Sequence, residues 1–278
     1  MTTPLTVLTI AGSDATGGAG VQADLRTFAA HRVHGATAVT ALTAQNTVCV
    51  QGIHPVPASF VEQQVRSVLD DLDVAAVKTG MLASAEIVAS VADLARTGVL
   101  ANLVVDPVMV SSTGARLLDE GAEVAYRDTL IPQARVITPN RSEAGVLVGR
   151  SLRCLDDVVE AAQELAASGP ELVVVTGGDP SGREREAVDV VVSAGRVQLH
   201  RAARIDTVND HGTGCSFASA IAARLAHGDE PLIAVEHARA LVRRALTGAA
   251  HWRLGRGHGP IDHLGWSHPD PVPTQEKP

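Results

Sequence analysis

Little in this 278-residue chain can stack bases, staple a fold or attract a polyanion. Aromatic residues are scarce, with three Phe, two Trp and one Tyr, whereas single-strand binders need rows of stacking platforms. Lys and Arg number 23 against 31 Asp and Glu, for a net charge of −8. That balance excludes the basic footprint of a nucleic-acid binder and favours solubility. The three cysteines, Cys49, Cys154 and Cys215, are widely spaced and odd in number. They fit neither a zinc motif nor a disulfide framework and point to a reducing cytosol. No apolar run approaches the ~18 residues of a membrane helix. Met1 to Val7 sets no basic region ahead of an apolar stretch, so no signal peptide is expected.

What is present is a regular alternation. Hydrophobic residues make up 45%, enough to bury a large core without staples. Leu5 to Ala11 is a short apolar run ending at Gly12-Ser13-Asp14, and it reads as a buried strand. A Gly- and Ser-rich loop runs to Gly20, and a helix follows to about His31. Further strands are expected at Ala36–Leu42, Val74–Val77, Leu103–Val105, Arg135–Thr138 and Leu172–Val175. Val61, Val65, Val68 and Leu72 mark one helix face. Ser84 is placed to cap a second helix, whose apolar face carries Ile87, Val91 and Leu94. Val188–Val192 and Val197–Leu199 flank Ser193-Ala194-Gly195 as a hairpin. The last third is helical, and the proline-rich segment 267–278 is expected to be a disordered tail. Strands alternating with helices predict a mostly parallel sheet covered on both faces, with ligands at the carboxyl ends of the strands.

The polar residues collect at those ends. His211-Gly212-Thr213-Gly214-Cys215 precedes an Ala-rich helix. Two glycines around one Thr can aim backbone N–H groups at an anion, and the helix N-terminus adds positive charge. Cys215 sits where a thiol pKa can fall below its ordinary ~8.5. The same fragment also reads as an ordinary loop-to-helix turn with a packed cysteine. Gly17-Gly18-Ala19-Gly20 lacks the Lys-Ser/Thr of a phosphate loop and the spacing of a dinucleotide fingerprint. It is either a structural turn or a point of close approach to a ligand. Asp106 and Glu143 either hold a Mg²⁺–phosphate complex through oxygen or cap a turn and a first helical turn.

Taken in order, these pieces resemble the hydroxymethylpyrimidine/phosphomethylpyrimidine kinases of thiamine biosynthesis, in the ribokinase-like superfamily. The resemblance spans about residues 5 to 264. It rests on Thr9–Asp14 with Gly17–Asp24, Thr40–Thr47, Lys78–Leu82, Val104–Met109, Thr138–Asn140 with Glu143, His211–Cys215 and Gly255–Pro260. It implies a three-layer α/β/α fold with a central, mostly parallel sheet, one kinase domain over residues 1–266, and a cytoplasmic homodimer with no membrane or nucleic-acid partner.

It also implies roles. Gly12, Ala19, Asp24, Thr43, Gln45, Met81 and Val108 would line the pyrimidine pocket. Asn140, Thr176, Gly212, Thr213 and Gly214 would meet ATP, Asp106 and Glu143 would hold Mg²⁺, and Cys215 would be the general base. Gln45 both gives and takes hydrogen bonds, which suits an aminopyrimidine edge. One departure stands out, since Thr176 occupies the place where the family usually has Lys. Asp179 likewise stands where His is common, and Thr43 replaces an aliphatic residue of some relatives. The expected activity is ATP- and Mg²⁺-dependent phosphorylation of 4-amino-5-hydroxymethyl-2-methylpyrimidine and then of its monophosphate. Two alternatives remain at this point: a pyridoxal or pyridoxine kinase, and a pyrimidine-binding protein whose ATP site is weakened at Thr176.

Overall fold

Successive residues of a strand point to opposite faces, and in β1 (Thr6–Ser13) both faces are buried. Val7 joins one core and Leu8 and Ile10 the other, as a strand sandwiched between helix layers requires. The computed structural model describes residues 3–110, 114, 117–119, 121–178 and 185–267. The remaining strands are β2 (His34–Gln45), β3 (Val50–Pro55), β4 (Val74–Thr79), β5 (Val104–Val105), β6 (Val136–Ile137), β7 (Leu172–Val175), β8 (Glu186–Ser193) and β9 (Arg196–Ala203). They form a nine-stranded sheet in the order β3-β2-β1-β4-β5-β6-β7-β8-β9. The run from β2 to β7 is parallel, while β3 at one edge and β8 and β9 at the other are antiparallel.

The helices are α1 (Gly20–Ala30), α2 (Ala58–Leu69), α3 (Ala85–Arg96), α4 (Ala122–Ala125), α5 (Arg141–Leu147), α6 (Leu155–Ala167), α7 (Thr213–Ala226) and α8 (Pro231–Ala249). Residues of α2 to α6 pack with Leu8, Val77, Val105, Ile137 and Val173 in one core. Residues of α1, α7 and α8 pack with Val7, Ala76, Val104, Val136 and Leu172 in the other. In α7, Ala218, Ala220, Ala222 and Ala223 are all buried, and small side chains let that helix sit close to the sheet.

Most expected elements are present. Ser84 caps α3 by accepting from the Ile87 N–H at 3.3 Å, and Ile87, Val91 and Leu94 are buried. The hairpin turns at Ala194 and Gly195, with φ of 48° and 72°. Two expectations change. The α2 stripe stops early, because the helix ends at Leu69 and Leu72 lies beyond its Asp70 cap. The strand expected at Ala36–Leu42 runs on to Gln45 and returns as β3, so Thr43 and Gln45 are strand residues. The expected disordered tail lies, from residue 268 onward, outside the described residues.

Candidate active site

The parallel strands deliver their polar ends to one edge of the sheet. At β1 the chain turns through Asp14, whose carboxylate accepts from Thr16 N (2.9 Å), Gly18 N (3.1 Å), Ala19 N (2.8 Å) and the Thr16 hydroxyl. It also meets His211 Nε2 at 2.8 Å. Burial pushes this carboxyl up, but the His211 contact and the Thr16 and Ala19 N–H groups outweigh it and hold it well below the usual carboxylate range. The Gly-rich loop is thus wound around an anion of its own.

That loop abuts the turn before α7. Gly212 is left-handed, with φ +83°, and a Cβ there would collide with the Gly18 carbonyl. Only glycine serves on both counts. No side chain caps α7, although the Thr213 N–H already donates to the Asp210 carbonyl at 3.2 Å; a helix start of this kind carries partial positive charge. Ser216 N and Oγ turn back to the Gly212 carbonyl at 2.9 and 2.8 Å, which fixes the turn from inside.

Beneath the turn lies a buried charge cluster. Lys78 Nζ, fully buried on β4, donates to both oxygens of Asp24 at 3.0 Å. Thr9 and Ser219 hydroxyls complete the Asp24 shell, each at 2.7 Å. Asp106 Oδ2 stands 3.9 Å from the same ammonium. Burial would lower the Lys78 pKa, but Asp24, Cys215 and Asp106 hold it above the ordinary lysine value. A Cβ at residue 80 would come within 2.7 Å of that ammonium, so Gly80 makes room for it.

Two site expectations are corrected here. Asp24 does not line a pocket; it is fully buried, and Lys78, Thr9 and Ser219 occupy its oxygens. Cys215 is not a lowered-pKa thiol. Some of its surface reaches solvent, but the sulfur is set deep, and burial pushes its pKa up to about 12. Lys78 pulls it down, while Asp106 and Asp24 push it further up. The helix N-terminus loses to desolvation, and the thiol is protonated at neutral pH.

Asp106, at the end of β5, and Glu143, in α5, form the opposite wall. Burial first, then Asp24, push the Asp106 carboxyl up to about 6 against Lys78. Burial and Asp106 push Glu143 up to about 8 against N–H groups of Asn140 and Met109. Asn140 and Glu143 also cap each other: Glu143 N donates to Asn140 Oδ1 and Asn140 N to Glu143 Oε2, both at 2.9 Å. The helix-start reading of Glu143 therefore holds. Among the described residues, Asp106 Oδ2, Thr79 Oγ1 and Thr138 Oγ1 are buried without a hydrogen-bond partner. These hard oxygens end adjacent strands beside two mutually destabilised carboxylates, and a divalent cation with its waters fits them. No cluster of three or more His, Cys, Asp or Glu forms a closed metal cage among the described residues.

Around the β1 loop, Gly12 lies under Met81, where a Cβ would strike Met81 Cε. Thr43 Oγ1 donates to the Ser13 carbonyl at 2.8 Å, Gln45 reaches His211, and Ala19 N is held by Asp14. Gly12, Ala19, Thr43, Gln45 and Met81 thus gather around the β1 loop. Val108 is half-buried against the core on the Asp106 side. Beyond β7, Thr176 forms a bridge with Asn140, and its N–H donates to the Pro139 carbonyl. Asp189 accepts from Gly177 N at 2.9 Å and from Arg239 Nε at 2.9 Å. A cleft of about 1000 Å³ opens here, lined by Thr176, Gly177, Arg141, Arg150, Arg201 and Arg204. The sequence reading assigned no role to Asp14, Lys78, His211 or these arginines. Asp14 and His211 lay inside motifs but 197 residues apart, so only the fold joins them.

A family model described as phosphomethylpyrimidine kinase matches residues 14–262. A hydroxymethylpyrimidine/phosphomethylpyrimidine kinase of Streptomyces coelicolor is 46% identical, over 95% of this chain and 96% of its own length. An ADP complex of Bacillus subtilis pyridoxal kinase superposes with a TM-score of 0.85 at 35% identity, covering 95% of this chain and 98% of that one. A phosphomethylpyrimidine kinase structure from Clostridium difficile gives a TM-score of 0.76 at 36% identity, covering 87% and 99%.

Proposed function

This chain belongs to the phosphomethylpyrimidine kinase family, and from that premise we propose that it transfers the γ-phosphoryl group of ATP to 4-amino-5-hydroxymethyl-2-methylpyrimidine and then to its monophosphate. It is an enzyme of the ribokinase-like fold. The observation that carries the reading is the uncapped α7 turn, Gly212 to Cys215, standing against Asp106 and Glu143 at one sheet edge. The solved pyridoxal kinase shares the fold, but the curated pyrimidine kinase is the more similar in sequence, 46% against 35%, so the pyridoxal reading is not favoured.

The substrate oxygen attacks the γ-phosphorus while the bond to the β-phosphate oxygen breaks, releasing ADP. Such transfer depends on positioning and charge stabilisation more than on covalent chemistry. In this reading the turn Gly212-Thr213-Gly214 at the start of α7 receives the migrating phosphoryl group, and Asn140 and Thr176 steady the neighbouring phosphates. Gly12, Ala19, Thr43, Gln45, Met81 and Val108 hold the ring. Asp106 and Glu143 hold Mg²⁺, which when bound neutralises phosphate charge. Cys215 stands next to the acceptor oxygen; its thiol is protonated at rest, and the minor thiolate form, left when the S–H proton passes to water, takes the acceptor hydroxyl's proton as phosphoryl transfer proceeds. The nucleotide assignment is supported by the ADP complex of the Bacillus subtilis enzyme. Residues 1–266 are read as one kinase domain, and a cytoplasmic homodimer follows from the family resemblance, with sedimentation as its check. No helix among the described residues is long and apolar enough to cross a membrane.

The test is ADP release over hydroxymethylpyrimidine, its phosphate, pyridoxal and ribose, with and without Mg²⁺. Turnover of both pyrimidines and none of ribose is expected. Faster turnover of pyridoxal or ribose overturns the substrate, and ATP binding without ADP formation points to a binding protein.

A further inference from the structure

His211 Nε2 faces two groups at once, Asp14 Oδ2 at 2.8 Å and the amide nitrogen of Gln45 at 3.3 Å. The Asp14 carboxylate is an acceptor only, already surrounded by donors from Thr16, Gly18 and Ala19. A ring nitrogen 2.8 Å from it carries the hydrogen. A nitrogen that carries hydrogen has no lone pair left to accept from an amide NH2. With the Gln45 nitrogen toward His211, two donors therefore meet head to head at 3.3 Å. Turning the amide by half a rotation about Cγ–Cδ exchanges oxygen for nitrogen at the same shape, and the clash becomes a second, shared acceptor for the same N–H.

The imidazole cannot swing away. His211 is 6% exposed at its side chain, its backbone N–H donates to the Gly259 carbonyl at 3.0 Å, and a Cβ at residue 18 would lie 2.5 Å from its Cδ2. We infer that His211, locked by Asp14, is a positioning residue that draws the Gln45 carbonyl oxygen toward itself and presents the Gln45 NH2 group to the substrate. This deepens the pyrimidine-kinase reading and rests on it. Gln45 then offers a donor, so it recognises an acceptor of the ligand, a ring nitrogen rather than the exocyclic amine. The same histidine directly precedes Gly212, so the residue that orients the ring-binding amide lies next to the turn, which is itself held by hydrogen bonds from Thr213 and Ser216.

Gln45→Glu separates the two orientations, because a carboxylate keeps the oxygen toward His211 but has no donor to offer. Calorimetric binding of 4-amino-5-hydroxymethyl-2-methylpyrimidine, without ATP, is expected to weaken by at least about tenfold in Gln45→Glu, with ATP binding unchanged. Equal or tighter binding would mean that the oxygen faces the ligand, and overturns the inference. A second arm needs no ligand. ¹⁵N NMR of histidine-labelled protein is expected to place a hydrogen on His211 Nε2, and a bare Nε2 overturns the inference. A third is His211→Phe, expected to raise the pyrimidine KM about tenfold while kcat changes less than about threefold; an unchanged KM counts against it. If the wild-type protein neither binds the pyrimidine nor releases ADP, the kinase reading falls while the NMR result still decides the histidine.

Discussion

Two buried aspartates stand at the ends of strands separated by β4 alone, and live opposite lives. Asp14, after β1, is surrounded by N–H and hydroxyl donors plus His211 and is held far into its ionised form. Asp106, after β5, has an oxygen without a hydrogen-bond partner among the described residues, a rival carboxylate in Glu143 and a pKa of about 6. Both are almost wholly enclosed, 4% and 3% exposed, so burial does not distinguish them. Saturation does. A filled shell marks a charge that builds the protein, and an unfilled one marks a charge kept for something that arrives later.

The comparison can be broken by exchanging the two charges for amides. Asp14→Asn leaves N–H donors and His211 facing an NH2 group, and is expected to cost about 3 kcal/mol of stability, with turnover lost alongside. Asp106→Asn is expected to leave stability unchanged or slightly higher while kcat/KM falls at least about 10²-fold at limiting Mg²⁺. Thermal melts beside ADP-release kinetics decide. Equal stability losses in the two variants would erase the distinction.

A milder probe is Cys215→Ala, which removes the thiol but none of the backbone donors. A drop in kcat of about 10–10²-fold is expected, with ATP affinity kept. Because the thiol lies at about 12, wild-type kcat should climb from pH 7 to 9 as the thiolate fraction grows, and the variant should lose that climb. A wild-type profile flat over that range would remove Cys215 from proton transfer.

The unfilled side also has a pH signature. Glu143 is raised from 4.5 to about 8, so the folded state holds a proton that the unfolded chain has given up. Its stabilising contribution is complete below pH 4.5 and is lost as pH rises through 8. His31 and His263 are lowered to about 4, so they cost stability only as pH falls below about 6.5. Between pH 6.5 and 8 the melting curve should therefore slope downward by an amount on the order of 1 kcal/mol. Glu143→Gln should flatten it and Mg²⁺ should oppose it. The smallest expected effect is at Thr176. Thr176→Lys, in a cleft already holding Arg141, Arg201 and Arg204, should lower the KM for ATP by about threefold at low salt and less at high salt.

Much of the fold could be read along the chain because each strand is a burst of apolar residues bounded by glycine or proline. Leu172–Val175 came out with its true limits, since all four residues are buried and Thr176-Gly177-Gly178 follows. β3 was missed because Val-Gln-Gly-Ile-His-Pro at an exposed edge has neither alternation nor burial to advertise it. The placement of the candidate residues was legible where it is local: the glycine turn does precede α7, and Asp106 does follow β5. It was illegible where electrostatics act across the fold. Nothing near Asp24 announces that Lys78 and Ser219, 54 and 195 residues away, will consume its oxygens. The thiol of Cys215 was misjudged for the same reason, because its helix terminus is visible in sequence and the bulk that buries it is not.

The seating of Gly18 against Gly212 also has a consequence in time. The two halves of that contact, with the Asp14–His211 pair, are 197 residues apart in the pair's case. At ~5–20 residues per second of synthesis, the first loop waits roughly 10–40 s for its partner to emerge. Contacts of such separation close late, after the entropy of the intervening loop has been overcome. Until then a nascent chain can own most of its sheet and still lack the joined Gly18–Gly212 edge. Under the proposed function, competence to spend ATP would thus be conferred near the end of folding, on finished molecules only.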